Sequence, residues 1–285
     1  MDMRLHDYTA YLFDLDGTLW TGSELYAGAS NLMQCLAEAG KRCVIVSNNS
    51  VLTGDRARAV LAERGLAGEP LAVTVTDVAG EYVARLLGAD AGRGRVRVAG
   101  APLLHRQCRL AGLETVDLWE PEQADVVLLG LHDSFTYQSL ERLVACVEQG
   151  ERFVVTNEDP WHPGPEGAKV PETGALLAGV RAICQCEYRA VGKPGRLLFD
   201  RALELAGVAA SDAVMVGDSL DTDVTGARRA GIDSVWISFA RPLPDCDDRS
   251  PTAVYESLSE LAADLRAQSR GAGSATSRGG RVASR

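Results

Sequence analysis

Short apolar runs alternate with amphipathic helical patterns along almost the whole chain. This alternation is typical of a parallel β-sheet covered by helices, because a helical crossover must separate one parallel strand from the next. The sequence therefore predicts an α/β fold. The carboxyl ends of parallel strands meet at one edge of the sheet, and open α/β sheets bind their ligands there. Functional side chains are therefore expected in the loops that follow the predicted strands.

The first of these loops places two carboxylates two residues apart. Asp14 and Asp16 follow an apolar run and precede Gly17, which can bend the backbone sharply. Side chains at positions i and i+2 of an extended chain point to the same face, so both acids can address one small volume. The pattern predicts a functional site beyond the end of the first strand.

Three later predicted strands also end in loops with chemically capable side chains: Ser47-Asn48-Asn49-Ser50, Gly192-Lys193-Pro194 and Gly217-Asp218 with Asp223. The serine loop alone also fits a helix N-cap and turn, and the lysine alone fits a solvated loop residue. The acids of the last loop repel one another unless a cation or a helix N-terminus lies among them. Their crowding favours a cation site.

The long interval between Ser47 and Lys193 exceeds one crossover and contains its own strand candidates, near residues 95–98, 126–129 and 153–155. We predict an α/β domain at 89–187, inserted into a core of residues 1–88 and 188–266 and seated over its strand ends. The segment 267–285 is rich in Gly, Ser and Arg and is predicted to be a disordered tail.

Composition excludes several classes of function. The net charge of −10 and the pI of about 5.0 argue against a nucleic-acid surface and against attraction to anionic membranes. No apolar run is long enough to span a bilayer, and the polar start lacks the apolar core of a signal peptide, so we expect a cytoplasmic protein. The seven cysteines lack disulfide or zinc spacing, and Cys184 and Cys186 would not share a face of the helix predicted there.

If the four loops meet, their side chains suit phosphoryl transfer. Asp14 attacks phosphorus to form an aspartyl-phosphate, and Asp16 protonates the departing alkoxide and then activates the hydrolytic water. Ser47, with Asn48 beside it, donates to phosphate oxygens, and Lys193 supplies a fixed positive charge.

A hard cation relieves the crowding of the carboxylates, and Mg²⁺ is the expected cofactor because it prefers oxygen ligands. The predicted ligands are the side chains of Asp14 and Asp218 and a backbone carbonyl near Asp16. Asp223, five residues after Asp218, is predicted to orient a water molecule or one of the ligands.

These loops resemble the four signature motifs of the haloacid dehalogenase superfamily of phosphohydrolases, and the resemblance covers roughly residues 8–240. It implies a Rossmann-like core, Asp14 as the nucleophile, Asp16 as the general acid/base and Mg²⁺ as the cofactor. The insertion follows the second motif, as in the NagD-like, para-nitrophenylphosphatase branch. Further stretches similar to that branch are Val46-Ser47-Asn48-Asn49-Ser50, Phe135-Thr-Tyr137, Thr156-Asn157-x-Asp159 and Pro171-x-Thr-Gly174.

Members of that branch dephosphorylate small metabolites and often dimerise through the cap, so the resemblance implies a small phosphate ester as substrate and a homodimer. In the cap, Asp159-Pro-Trp161-His162-Pro resembles the specificity loop of vertebrate pyridoxal phosphate phosphatases. Trp161 and His162 are therefore candidates for contact with the leaving group. Alternatively, Trp161 packs the cap against the core and His162 caps a turn. A non-catalytic ligand-binding or regulatory protein and a phosphomutase remain the alternative functions.

Overall fold

The computed structural model describes residues 4–22, 24–88, 94–164, 168–244 and 250–276. Strands and helices alternate in it as the sequence predicts. The strands are β1 (Ala10–Phe13), β2 (Arg42–Ser47), β3 (Leu71–Thr74), β4 (Arg95–Ala99), β5 (Glu114–Asp117), β6 (Val126–Leu129), β7 (Arg152–Val155), β8 (Trp161–Pro163), β9 (Lys169–Pro171), β10 (Tyr188–Ala190), β11 (Ala213–Gly217), β12 (Asp233–Ile237) and β13 (Ala253–Tyr255).

The helices are α1 (Ala29–Glu38), α2 (Gly54–Glu63), α3 (Val75–Leu87), α4 (Pro102–Leu110), α5 (Tyr137–Glu148), α6 (Thr173–Ile183), α7 (Arg196–Ala206), α8 (Thr225–Ala230) and α9 (Leu258–Thr276). The first helix is the one predicted with Leu32, Met33 and Leu36 on its buried face, and all three side chains are buried. Gly40 follows it with a φ of 68°, a left-handed conformation that glycine adopts without strain.

Six parallel strands form the core sheet, in the order β13-β12-β11-β1-β2-β3. The central strand β1 pairs with β11 on one side and β2 on the other, so that Leu12 lies opposite Met215 and Val44. Because all three strands run in the same direction, the loops that follow them end side by side. The predicted α/β core is confirmed, and its topology brings three of the four candidate loops together.

The inserted region forms a second parallel sheet, in the order β10-β7-β6-β4-β5. Three of its strands, β4, β6 and β7, are the ones predicted from the sequence. The prediction that residues 188–191 form a core strand is wrong, because β10 pairs with β7 and the chain leaves the cap sheet only after Ala190. A three-residue strand at a sheet edge carries too little pattern to indicate its partner.

One apolar cluster joins the two sheets. It contains Leu12 and Met215 of the core sheet together with Val98 and Leu128 of the cap sheet. Helices α3 and α4 approach closely within it: a Cβ on Gly80 would lie 2.5 Å from the Gln107 carbonyl oxygen. Core and cap are therefore packed against each other through apolar contacts.

Two predictions are wrong: that Cys184 and Cys186 lie on a helix, and that the disordered tail begins at residue 267. Helix α6 ends at Ile183, so Cys184 and Cys186 do not lie on the predicted helix. Helix α9 runs through the predicted start of the disordered tail at 267 and ends at Thr276. Residues 277–285 of that predicted tail lie outside the described residues. Among the residues that are described, no helix has both the length and the apolar composition that crossing a bilayer requires.

Candidate active site

The first loop brings Asp14 and Asp16 to the end of the central strand. The Asp14 amide continues the ladder to β11 by donating to the Val216 carbonyl at 2.9 Å. Gly17 follows with a φ of 97°, and a Cβ at this position would lie 2.8 Å from Asp218 Oδ1. Only glycine therefore fits the conformation and lets the first loop contact the loop after β11.

Lys193 lies between two of the acids. Its Nζ donates to Asp14 Oδ1 at 2.6 Å and to Asp223 Oδ1 at 2.8 Å, and only 2% of its side chain is exposed. Burial opposes the lysine's charge, but the two carboxylates outweigh it and raise the pKa of Lys193 above its ordinary value. The lysine stays charged and fixes the orientation of the Asp14 carboxylate.

Asp14, Asp218 and Asp223 form a cluster of carboxylates whose nearest oxygens lie within 4.8 Å of one another. Burial is the main cause that raises the pKa of Asp218 and of Asp223, and repulsion from Asp14 adds to it. Lys193 pairs with Asp14 and Asp223, and Asp218 pairs with the half-exposed Arg241 at 3.2 Å. Three acids with two cations keep a net negative charge, so the donor set and its charge fit a divalent cation with oxygen ligands. The Asp16 carboxylate is not part of this cluster. The cluster does include Asp223, which we predicted to orient a water molecule or one of the ligands.

Asp16 has the surroundings of a group that exchanges protons near neutral pH. Burial, and then the Asp14 charge, raise its pKa to about 6, while hydrogen bonds from Trp20 and Asn49 oppose the rise. The Trp20 indole N–H donates to Asp16 Oδ1 at 2.8 Å, and Asn49 Nδ2 donates to Oδ2 at 3.4 Å. The two neighbouring aspartates of the first loop thus differ: Asp14 is paired with a lysine and Asp16 with neutral donors.

Ser47 is the last residue of β2 and Asn48 follows it, and both are buried. Ser47 Oγ accepts a hydrogen bond from the Asn49 amide at 3.0 Å, which leaves the hydroxyl hydrogen available for another acceptor. The Asn48 side chain has protein partners: its Oδ1 accepts from the Lys193 amide at 2.7 Å, and its Nδ2 donates to Asp159 Oδ2 at 2.8 Å. Asn48 therefore ties the lysine loop and the cap to the core.

Trp161 and His162 lie on β8, which pairs with β9 in an antiparallel hairpin. His162 Nδ1 lies 2.7 Å from Glu172 Oε1, and this hydrogen bond is the main cause that raises the pKa of His162. Trp161 is 43% exposed, and the Lys169 ammonium lies 4.6 Å from the centre of its ring. Trp161 is therefore accessible from the cavity that it lines.

All of the predicted site residues line one cavity of about 480 Å³: Asp14, Asp16, Ser47, Asn48, Trp161, His162, Lys193, Asp218 and Asp223. The cap hairpin and the core loops face each other across it. The cavity is large enough for a small phosphorylated molecule, and its acids, fixed lysine and proton-exchanging carboxyl suit chemistry on a phosphate ester.

Sequence reasoning gave no role to several residues that contact the site. Trp20 donates to Asp16, and Glu172 holds His162. The Trp236 indole and the Arg241 guanidinium both donate to the Asp218 carbonyl at 2.8 Å, and Arg241 also reaches Asp218 Oδ2 at 3.2 Å. Composition and spacing carry no signal for these contacts, except that Trp20 lies four residues after Asp16.

Comparison with known proteins adds a second line of evidence. Residues 11–114 match the model of a family described as haloacid dehalogenase-like hydrolase, and residues 190–261 match a HAD-hydrolase-like model. Chronophin of Mus musculus is 36% identical over 233 residues, which cover 79% of this chain and 78% of chronophin. Acid sugar phosphatase of Staphylococcus aureus is 29% identical over 264 residues, 92% of this chain and 99% of that protein.

Solved structures agree with these sequence matches. The glycerol phosphate phosphatase of Mycobacterium tuberculosis in complex with magnesium has a TM-score of 0.78 and 28% identity, and covers 90% of this chain and 76% of its own. The 4-nitrophenylphosphatase of Thermotoga maritima has a TM-score of 0.77 and 28% identity, with 92% and 99% covered.

Proposed function

The chain belongs to the haloacid dehalogenase-like hydrolase family, as a phosphatase of its NagD-like branch, and we propose that it is a Mg²⁺-dependent phosphomonoesterase that works through an aspartyl-phosphate on Asp14. The observation that carries the proposal is the position of Lys193 Nζ, within 2.8 Å of both Asp14 and Asp223 in a cavity that also contains Asp16. This geometry combines an oriented carboxylate, a fixed positive charge and a separate proton donor.

Asp14 and Asp218 are the proposed side-chain ligands of Mg²⁺, together with the Asp16 backbone carbonyl. The proximity of Asp223 to both carboxylates supports its inclusion in the same cation site. The magnesium complex of the mycobacterial relative supports the choice of metal. When bound, the ion supplies positive charge that offsets the carboxylates and the phosphate dianion.

In the first step an Asp14 carboxylate oxygen attacks phosphorus, and the bond between phosphorus and the ester oxygen breaks. Asp16 donates its proton to the departing alkoxide; its pKa of about 6 means that a useful fraction still carries a proton near neutral pH. In the second step Asp16 takes a proton from the water that attacks phosphorus of the aspartyl-phosphate. The bond between phosphorus and the Asp14 oxygen breaks, which frees the Asp14 carboxylate and releases inorganic phosphate. Lys193 and Ser47 stabilise the negative charge that spreads over the phosphoryl oxygens.

We propose a small phosphorylated metabolite as the substrate, with its leaving group in contact with Trp161 and His162. The names of the relatives, which include an acid sugar phosphatase and a glycerol phosphate phosphatase, support this class of substrate. A panel of pyridoxal, glycerol, glycolate, sugar and nucleotide phosphates, compared by kcat/KM, identifies the preferred ester. If His162→Ala left every ratio between substrates unchanged, the proposed contact would be wrong.

Asp14→Asn tests the nucleophile. The variant should lose at least about 10³-fold in kcat for p-nitrophenyl phosphate, because an amide cannot form the acyl-phosphate. The matched control is Asp200→Asn, which changes a surface acid of α7 that pairs with Arg196. EDTA should abolish phosphate release by the wild type, and added Mg²⁺ should restore it. Normal turnover by Asp14→Asn, with an unchanged melting temperature, would contradict the mechanism.

We also propose that the enzyme acts in the cytoplasm and forms a homodimer through the cap, as the resemblance to its branch implies. Light scattering after size-exclusion chromatography measures the mass in solution. A monomeric mass at micromolar concentration would contradict the dimer.

A further inference from the structure

Two cysteine thiols meet in the segment between α6 and β10. The sulfur atoms of Cys184 and Cys186 lie 3.7 Å apart. Helix α6 ends at Ile183, and Cys184 follows with φ −116° and ψ 134°, which is extended backbone. Side chains two residues apart lie on the same face of an extended chain, whereas on a helix they do not. The early end of α6 is therefore what brings the two thiols together.

The two thiols differ in access. Cys184 is buried among apolar side chains of the cap, and Cys186 packs at the edge of the same cluster and is partly exposed. Burial, followed by the contact with Cys186, raises the pKa of Cys184 to about 11. An external reagent thus reaches Cys186 first, and Cys184 is positioned behind it. This arrangement of an accessible sulfur and a neighbouring second sulfur is what thiol–disulfide exchange requires.

We propose that Cys184 and Cys186 form a thiol modification site that closes to an intrachain disulfide on exchange with a small-molecule disulfide such as oxidised glutathione. The Cys186 thiolate attacks one sulfur of the reagent and releases one glutathione thiolate. The Cys184 thiolate then attacks the Cys186 sulfur of the mixed disulfide and releases the second. The cysteine pair loses two electrons and two protons, and one glutathione disulfide becomes two glutathione thiols.

The local backbone permits this closure. A disulfide requires the sulfurs to approach to about 2.05 Å and the Cα atoms to lie within about 6.8 Å. Two residues of extended chain span about 6.6 Å, so a small bend at Gln185 is sufficient. Residues 184–187 belong to neither α6 nor β10, so this bend breaks no helix or strand pairing.

The cysteine pair lies in the sequence between two segments of the proposed active site. Helix α6 begins directly after Glu172, which holds His162, and β10 continues into the loop that carries Lys193. The proposal itself concerns the chemistry of the two thiols and is independent of the phosphatase activity.

Tryptic digestion isolates the pair cleanly. Cleavage after Arg181 and Arg189 releases the peptide 182–189, which contains Cys184 and Cys186 and no other cysteine. The reduced full-length protein is incubated with oxidised glutathione, remaining thiols are blocked with N-ethylmaleimide, and the digest is analysed by mass spectrometry. We expect this peptide without maleimide and lighter by two hydrogen atoms than its reduced form. Treatment with dithiothreitol after the oxidation and before the blocking step should restore two maleimide groups on this peptide.

Two variants separate the steps. Cys184→Ser should retain one glutathione on Cys186, because the second sulfur is missing, whereas Cys35→Ser should form the same disulfide as the wild type. The proposal is overturned if wild-type peptide 182–189 carries two maleimide groups after oxidation. It is equally overturned if the peptide accumulates as a stable glutathione adduct, because the neighbouring thiol then fails to displace glutathione.

Discussion

The hydrogen bond between Trp20 and Asp16 offers a direct test of how the site sets the acidity of its proposed proton donor. The indole N–H donates to Asp16 Oδ1 at 2.8 Å and stabilises the charged carboxylate. Trp20→Phe removes this donor and keeps an aromatic ring in a position that is only 4% exposed. Because the charged form loses a partner, the pKa of Asp16 should rise above its present value of about 6.

The size of the effect follows from the energy of one charge-assisted hydrogen bond. Such bonds contribute about 1.5 to 3 kcal/mol, and one pKa unit corresponds to about 1.4 kcal/mol. The upper bound is therefore a rise of about one to two in the pKa of Asp16. Asn49 Nδ2, at 3.4 Å from Oδ2, and water in the cavity replace part of the lost stabilisation. We expect a rise of about one.

The assay is the pH dependence of kcat/KM for glycerol phosphate at saturating Mg²⁺. Asp16 must carry a proton to protonate the alkoxide, so kcat/KM falls as the pH rises through the pKa of Asp16. A higher pKa moves this basic limb upward, by about one pH unit in Trp20→Phe. p-Nitrophenyl phosphate should show a smaller change, because its leaving group needs little protonation.

Trp236→Phe is the matched control, since that indole donates to the Asp218 backbone carbonyl and to neither oxygen of Asp16. The control should leave the basic limb for glycerol phosphate where it is in the wild type. A downward movement of the limb in Trp20→Phe, or the same upward movement in both variants, would refute the reasoning.

Three further changes test separate parts of the structure. Glu172→Gln weakens the main cause of the raised pKa of His162, so the imidazole should titrate at lower pH in NMR spectra, and an unchanged titration would contradict the assigned pairing. Arg97→Met leaves Glu151, its partner in a buried ion pair, without a counter-charge. The free energy of unfolding in urea should fall by about 3 to 5 kcal/mol, while kcat for p-nitrophenyl phosphate is retained. A smaller loss would show that water reaches the pair. Arg241→Met removes hydrogen bonds to the backbone carbonyl and the carboxylate of Asp218. Mg²⁺ should then bind about 10- to 100-fold more weakly, measured by calorimetry and by the Mg²⁺-dependent rise in melting temperature. Equal affinity would exclude a role of Arg241 in orienting Asp218.

The chemistry-bearing loops could be predicted because the rule that locates them is local. Asp14, Ser47 and Asp218 each follow an apolar run, and parallel pairing of β1, β2 and β11 places their loops side by side. The structure places Lys193 beside Asp14 and Asp223, although its strand was assigned to the wrong sheet. The lysine enters from the edge of the cap sheet, and the hydrogen bonds of Asn48 bring its loop to the core.

Several contacts that adjust the site could not be predicted, because they join residues far apart in the chain. Asn48 and Asp159 are 111 residues apart, and their hydrogen bond depends on how the cap sits over the core. Arg241 contacts Asp218 from a loop in which Phe239 and Ala240 both have positive φ, a conformation that the amino-acid types do not favour. The helix prediction at Cys184 is wrong for a different reason: α6 ends at Ile183, but the sequence there carries no stop signal such as glycine or proline.

The active-site cavity carries an excess of negative charge. Burial raises the pKa of Asp16, Asp218 and Asp223. Lys193 and the half-exposed Arg241 neutralise only part of the charge that the carboxylates of the cavity carry when ionised. A cavity lined only by these groups would repel a phosphate dianion. A divalent cation at the carboxylate cluster reverses that repulsion, so binding of the metal must favour binding of the substrate. Asp16 lies outside the cluster and accepts hydrogen bonds from neutral donors, which suits the proton transfer that we propose for it.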